Sequence, residues 1–186
     1  VHKDQAVEAL EAGKHVACEK PLAGTLDDAR VMFDAAKKAR NQHTFVWYNY
    51  RRCPAIAFAH QLVKQGKLGR IYHIRGNYLQ DWAGPDAPLM WRFQGDIAGS
   101  GALGDLLAHT IDTVRFITGD EVKEISGAML ETVIKERAVL DAGGSEISGR
   151  GAKTSRKKAE STVDDAVLAL AKMKGGALAS FEATRL

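Results

Sequence analysis

Asp105 and His109 stand four residues apart in Asp105-Leu-Leu-Ala-His109. On a helix that spacing puts a carboxylate and an imidazole on one face. The pair suits general acid–base chemistry, with the histidine carrying a proton near neutral pH. Two structural readings compete: an aspartate favoured by the dipole at a helix start, and a histidine satisfied inside the core. A zinc site would want further ligands, such as a His-Glu-x-x-His run, and none is written here, so no metal is expected. The second candidate is Glu19-Lys20-Pro21. A lysine before proline is restricted to extended or turn geometry, and partial burial would make its amine responsive to neighbours, as catalytic lysines require. A cis Lys20–Pro21 bond would aim the amine inward. Taken alone, the same lysine reads more readily as a surface residue on a loop.

The elements that must position these residues can be read from the periodicity. Asp4 to Ala12 is an amphipathic helix stopped at Gly13. His15–Glu19 reads as a short, mostly buried strand. Thr25 caps a second helix with Leu26, Ala29, Phe33 and Ala36 as its buried stripe, and 44–48 is the next strand. Helix and strand alternating over short connections indicate a parallel sheet wrapped by helices. Ligands of such sheets bind beyond the carboxyl ends of the strands. Glu19-Lys20-Pro21 and Asn49-Tyr50-Arg51 both fall there, on the same edge. A parallel domain does not start with a lone helix and two strands, so a preceding βαβ unit is expected upstream and the chain reads as a fragment.

Beyond Tyr48 the character changes. A helix is expected from Pro54 to Gly66, a strand with one wet face over 70–78, and a helix from Ala102 to Thr118. Strands follow at 122–131, 163–173 and 177–184, the last two joined through Lys174-Gly175-Gly176 as a hairpin. The expected fold is therefore α/β plus α+β. Residues 1–50 form the C-terminal part of a Rossmann sheet. Residues 51–186 form the N-terminal part of a substrate and oligomerisation domain with a mainly antiparallel open sheet. Lys135 to Ser161, polar and Gly-rich, is expected to be a mobile loop.

Composition narrows the function classes. The 186 residues are 45% hydrophobic and 26% charged, which suits a globular fold and not a disordered chain. No apolar run approaches the ~18–20 residues of a membrane-spanning helix, so no membrane association is expected. Cys18 and Cys53 are too few for a disulfide scaffold, which points to a reducing, cytoplasmic setting. Two motifs mislead. Gly99-Ser-Gly-Ala-Leu-Gly104 matches G-x-G-x-x-G, but no buried strand precedes it and no parallel unit follows, so it is not the phosphate loop of a dinucleotide site. Its glycines instead let the backbone pass close to a ligand or a neighbouring segment. Arg150 to Lys158 holds five basic residues in nine with no aromatic among them, which reads as a solvated loop and not as a nucleic-acid surface.

Ala9-Leu-Glu-Ala-Gly-Lys-His-Val-Ala-Cys-Glu-Lys-Pro-Leu-Ala23 resembles the Gfo/Idh/MocA family of sugar and inositol dehydrogenases. So do Asn49-Tyr-Arg-Arg-Cys-Pro-Ala55, Gly101-Ala-Leu-Gly-Asp-Leu-Leu-Ala-His-Thr-Ile-Asp112, Val163-Asp-Asp-Ala166 and Phe181-Glu-Ala-Thr-Arg185, in order along the chain. The resemblance implies a Rossmann domain binding NAD or NADP, and a sugar, inositol or related polyol as substrate. It implies Lys20 as the catalytic lysine between nicotinamide and substrate, and Asp105 and His109 as the substrate-side catalytic pair. Glu19, Lys20, Asn49, Trp91 and Arg92 are expected beside the cofactor, and Arg51 with Asp105 and His109 on the substrate. A homo-oligomer through the open sheet is implied for the full-length protein. The family's dinucleotide fingerprint lies outside this sequence, so the 186 residues alone are expected to bind the cofactor weakly and to be inactive.

The chemistry is that of a secondary alcohol losing a hydride to nicotinamide and a proton to His109, with Lys20 stabilising the developing alkoxide. Besides nucleic-acid binding through residues 150–158, which salt-dependent retention on heparin or DNA would test, two rivals stand beside it. One is NAD-dependent glycoside cleavage on the same fold, through a transient ketone. The other is a non-catalytic interaction subunit, against which the joint presence of Lys20, Asp105 and His109 argues.

Overall fold

Short parallel strands need a helix between them to reverse direction, and the first 49 residues meet that requirement once. In the computed structural model, which describes residues 2–141 and 154–186, the chain divides into two units, Val1–Asn49 and Tyr50–Leu186. The first contains α1 (His2–Glu11), β1 (Val16–Glu19), α2 (Leu26–Lys38) and β2 (Thr44–Trp47). Gly13 ends α1 with φ +73°, and Thr25 starts α2 by accepting a hydrogen bond from Asp28 N at 3.2 Å. The strands pair in parallel, Val16 opposite Thr44 through Glu19 opposite Trp47.

The core of this unit is Ala6, Cys18 and Met32. That corrects two expectations. Leu26 and Phe33 of α2 are exposed, and Met32 is the residue α2 buries. β1 buries Cys18 alone. The physical reason is width: among the described residues this sheet has two strands, too narrow to cover the apolar face of α2. An apolar cavity of about 160 Å³ lies open between α2 and the sheet, with Met32, Phe33 and Phe45 in its lining.

The second unit contains α3 (Pro54–Lys64), β3 (His73–Leu79), α4 (Gly95–Ala98), α5 (Ala108–Thr118), β4 (Val122–Glu131), β5 (Glu136–Leu140), β6 (Thr154–Glu160), β7 (Ala166–Met173) and β8 (Leu178–Thr184). The helix expected from Ala102 is continuous, but its first part, Leu103–Leu107, is a π-helical turn. The main sheet has the order β3-β8-β7-β4. β4–β7 and β7–β8 are antiparallel and β3–β8 is parallel, which gives the mainly antiparallel sheet one crossover connection. Strict alternation along β7 turns Val167, Ala169, Ala171 and Met173 inward. The inward alanines of β7 and β8 leave room for Leu106 and Leu107, so the helix start lies in the largest core cluster.

The expected loop at 135–161 is partly wrong. Its flanks form an antiparallel ribbon, β5 with β6, Glu136 facing Glu160 and Leu140 facing Thr154. Residues 142–153, which include Arg150 and Lys153 of the basic run, lie outside the described residues; Arg156, Lys157 and Lys158 sit exposed on β6. The ribbon is held by a buried charge as well as by Leu140, which packs on the cluster of Ala83, Met90, Phe93 and Val163. Arg137 of β5 is wholly buried and donates to Gly84 O and Ala83 O, each at 2.9 Å, and to Asp165 Oδ1 at 3.0 Å. The Phe93 ring lies 3.8 Å from its guanidinium carbon. Asp165 Oδ2 accepts from Ile134 N at 2.9 Å.

Removing one member of a buried ion pair leaves the other charge uncompensated. Arg137→Met is therefore expected to lower unfolding free energy by about 3–5 kcal/mol, read from urea unfolding. A loss under about 1 kcal/mol would show that the ribbon is held by something else.

Candidate active site

The glycine-rich turn before α5 serves a neighbouring segment. Asp164 accepts from Gly101 N through Oδ1 and from Leu103 N through Oδ2, both at 2.7 Å, and its own carbonyl accepts from Ala102 N at 3.0 Å. A Cβ at position 101 would lie 1.8 Å from the Asp164 carbonyl oxygen, so only glycine lets the two backbones meet. One buried carboxylate thereby takes two of the amide protons that a helix start leaves without partners. It also fixes the first turn of the segment that carries Asp105 and His109.

Asp105 lies in the π-helical turn and His109 opens α5. His109 is buried against two tyrosine rings: Tyr50 at 4.5 Å between centroids and Tyr78 at 6.4 Å, edge-on. The two phenol oxygens are hydrogen-bonded to each other. Burial, and then the Tyr78 hydrogen bond, push the Tyr50 phenol up to about 12. Asp105 is among the charges raising Tyr50, and it is the first of the carboxylates that oppose the lowering of the Arg185 guanidinium by burial. Arg185 in turn donates to Asp164 O at 3.0 Å and to Arg92 O at 3.3 Å. The same buried cluster therefore ties down the helix start and the turn Trp91–Phe93. Trp91 and Arg92 are held there between buried Met90 and Phe93, with the Arg92 guanidinium 4.4 Å over the Trp91 ring.

Arg51 has a partner that spacing did not reveal. Its Nε donates to Asp112 Oδ2 at 2.8 Å and its Nη2 to Oδ1, a two-point fork onto a buried carboxylate one turn beyond His109. The guanidinium carbon also lies 5.3 Å over the Phe116 ring. Arg51 thus ties the turn 49–52 to α5. Sequence reasoning missed Asp112, Tyr50, Tyr78 and Asp164 as members of the site. Asp112, three residues after His109, carried the one available signal, a second acidic residue on the same helical face.

In the first unit, Glu19 and Lys20 leave β1, and Asn49 follows β2, at one carboxyl edge of the parallel pair. Glu19 and Asn49 are exposed and Lys20 is half-buried; the Lys20–Pro21 bond is cis. Lys20 N donates to Glu19 Oε2 at 3.2 Å. An accessible carboxylate, ammonium and amide at that edge fit the polar end of a nicotinamide nucleotide. Among the described residues, no cluster of His, Cys, Asp and Glu could hold a metal ion, and no helix is long and apolar enough to cross a membrane.

The chain thus joins a parallel βαβ segment to a helix on a mixed sheet, the two parts that its family relationships also divide. The chain belongs to the GFO/IDH/MocA family: residues 56–186 match its C-terminal domain and residues 1–48 the oxidoreductase family's NAD-binding Rossmann fold. It is 46% identical over all 186 residues to levoglucosan dehydrogenase of Pseudarthrobacter phenanthrenivorans and covers 47% of that protein. An oxidoreductase domain protein from Kribbella flavida has a TM-score of 0.88 at 50% identity, over 99% of this chain and 47% of its own. Levoglucosan dehydrogenase in complex with NADH and levoglucosan gives a TM-score of 0.84 at 43% identity, over 99% of this chain and 45% of its own. The chain spans less than half the length of these relatives.

The packing at the glycine-rich turn makes a paired prediction. Gly101→Ala is expected to cost at least about 3 kcal/mol, because backbone must shift. Gly104→Ala meets only the Ser100 hydroxyl, which can rotate away, and is expected to cost about 1 kcal/mol or less. Thermal unfolding of the two variants side by side checks the contrast.

Proposed function

We propose that the protein oxidises a secondary hydroxyl of a sugar or related polyol, with NAD or NADP as hydride acceptor. A levoglucosan-like anhydrosugar is the first substrate to test, since levoglucosan is bound in a 43%-identical relative. The observation that carries the reading is the buried His109, on the same helical segment as Asp105 and packed against the Tyr50 and Tyr78 rings. Bound NAD(P) would supply the hydride acceptor for the carbinol carbon. His109 takes the hydroxyl proton, so that a carbonyl remains and charge balances. Asp105 keeps the imidazole ready to accept that proton. Lys20 donates a hydrogen bond to the same oxygen and stabilises negative charge as it develops. Glu19, Lys20 and Asn49, with Trp91 and Arg92, hold the nicotinamide end; Arg51 sets the pocket through Asp112.

The rival chemistry, glycoside cleavage through a transient ketone, consumes no cofactor over a turnover. Stoichiometric NAD(P)H appearance at 340 nm supports the dehydrogenase, and cleavage products without it support the rival. In the protein at its natural length, His109→Asn keeps much of the side chain's volume and removes the proton carrier. Turnover is expected to fall by roughly 10²–10⁴-fold. Cofactor affinity, read by NADH fluorescence, is expected to stay unchanged. Near-normal turnover, or lost cofactor binding, would make His109 a structural histidine.

The outer face of the main sheet carries exposed Met129, Leu168, Leu170 and Leu178. An apolar surface of that kind marks an interface, and we assign it to association of copies of the protein. Met129→Lys is expected to shift the protein to smaller species in light scattering, with the secondary structure of the wild type. An unchanged mass would move the interface elsewhere.

A further inference from the structure

The tyrosine beside His109 stands at the end of a chain of hydrogen bonds. The Tyr50 ring lies on the imidazole with its plane 33° away. Its hydroxyl is bonded to that of Tyr78, two residues before Gln80 on the run that leaves β3. Tyr78 Oη accepts from Gln80 Nε2 at 3.1 Å, and Gln80 Oε1 accepts from Trp82 Nε1 at 2.7 Å. Trp82 is braced on buried Phe93, 5.9 Å between centroids.

The direction of the chain follows from its first member. An indole N–H only donates, so the Gln80 carbonyl must face Trp82 and its amide nitrogen must face Tyr78. Between the two phenols either oxygen can be the donor, and the bond fixes the two rings against each other whichever gives the proton. Tyr50 is no base: burial and the Tyr78 bond push its phenol up to about 12, so it keeps its proton at ordinary pH. What remains for it is to act as a wall and an anchor.

We propose that Tyr50 is the positioning residue of His109, its ring fixing the plane of the imidazole while Tyr78, Gln80 and Trp82 fix the ring. The proposal deepens the reading of His109 as the proton acceptor and rests on it. Among the described residues, the other ring contacts of histidines do not share this arrangement. His60 on Phe116 bonds a main-chain carbonyl, and the His15–His43 stack lies on exposed residues.

The test uses the protein at its natural length and four variants: Tyr50→Phe, Tyr78→Phe, the double variant, and Tyr50→Leu. One arm maps carbethoxylation by diethyl pyrocarbonate with peptide mass spectrometry, using exposed His73 as internal standard. His109 is expected to react slowly in the wild type, faster in both Phe variants, and fastest in Tyr50→Leu, where the covering ring is gone. The second arm measures oxidation of levoglucosan with NAD. Each Phe variant is expected to lose about tenfold in kcat, the weight of one hydrogen bond, with KM little changed. The double variant should lose no more than either single, because the bond is shared. Unchanged His109 reactivity in Tyr50→Leu, additive losses, or a loss confined to KM would each overturn the proposal. A wild type that oxidises no sugar alcohol overturns the functional reading instead, and the labelling arm then decides the positioning on its own.

Discussion

Two adjacent carboxylates on the strand run before β7, Asp164 and Asp165, decide how the second unit is assembled. They are buried beside two buried guanidinium groups, Arg137 and Arg185. Asp164 turns toward the helix start, Asp165 toward the ribbon, and Arg185 reaches the Asp164 carbonyl and lies 3.9 Å from Asp165. Removing four charges from water costs several kcal/mol each, so the cluster is tolerable only because signs balance and most polar atoms are bonded. An apolar plug could be as stable. It could not specify which amides the chain must bring there, and that selectivity is what places Gly101, Leu103 and Ile134.

The cluster also explains what was legible in the sequence. Elements announced by apolar periodicity were found close to their places: α1, α2, α3, α5 and the strands β3, β4, β7 and β8. The β5–β6 ribbon was not, because the residue that buries it is an arginine, and an arginine in a polar run reads as solvent-facing. Periodicity also overstated α2. Leu26 and Phe33 lie on an apolar stripe, but a stripe shows what a helix could bury, and two strands cannot cover it. The parallel pairing of β3 with β8 was invisible for another reason. Nothing local distinguishes a strand that will pair with one more than ninety residues on.

The site divides along the same line. Asp105 and His109 stand four residues apart in one continuous helical run, so the sequence alone placed them on one segment. Tyr50 with Tyr78, Arg51 with Asp112, and Asp164 with Gly101 are tens of residues apart, and only the fold brings them into contact. The glycine-rich run shows why the motif alone misled. A phosphate loop and a tight backbone crossing ask for the same thing, absence of a Cβ, and they differ only in what approaches: here it is the Asp164 carbonyl.

The acid–base half of the proposed chemistry therefore falls on a strongly over-determined part of the chain. His109 is fixed from below by a helix start that Asp164 locks, and from the side by two rings that are bonded to each other. General acid–base catalysis gains from such rigidity, because an imidazole displaced by an ångström no longer meets its proton. Glu19, Lys20 and Asn49 stand on a different footing. They leave the ends of two short strands whose unit has three residues in its core. A group that holds a removable cofactor needs to be reached from solvent, whereas a group that must repeat one proton transfer at one atom needs to be held still. An exposed edge and a clamped histidine are what the two proposed tasks would respectively require.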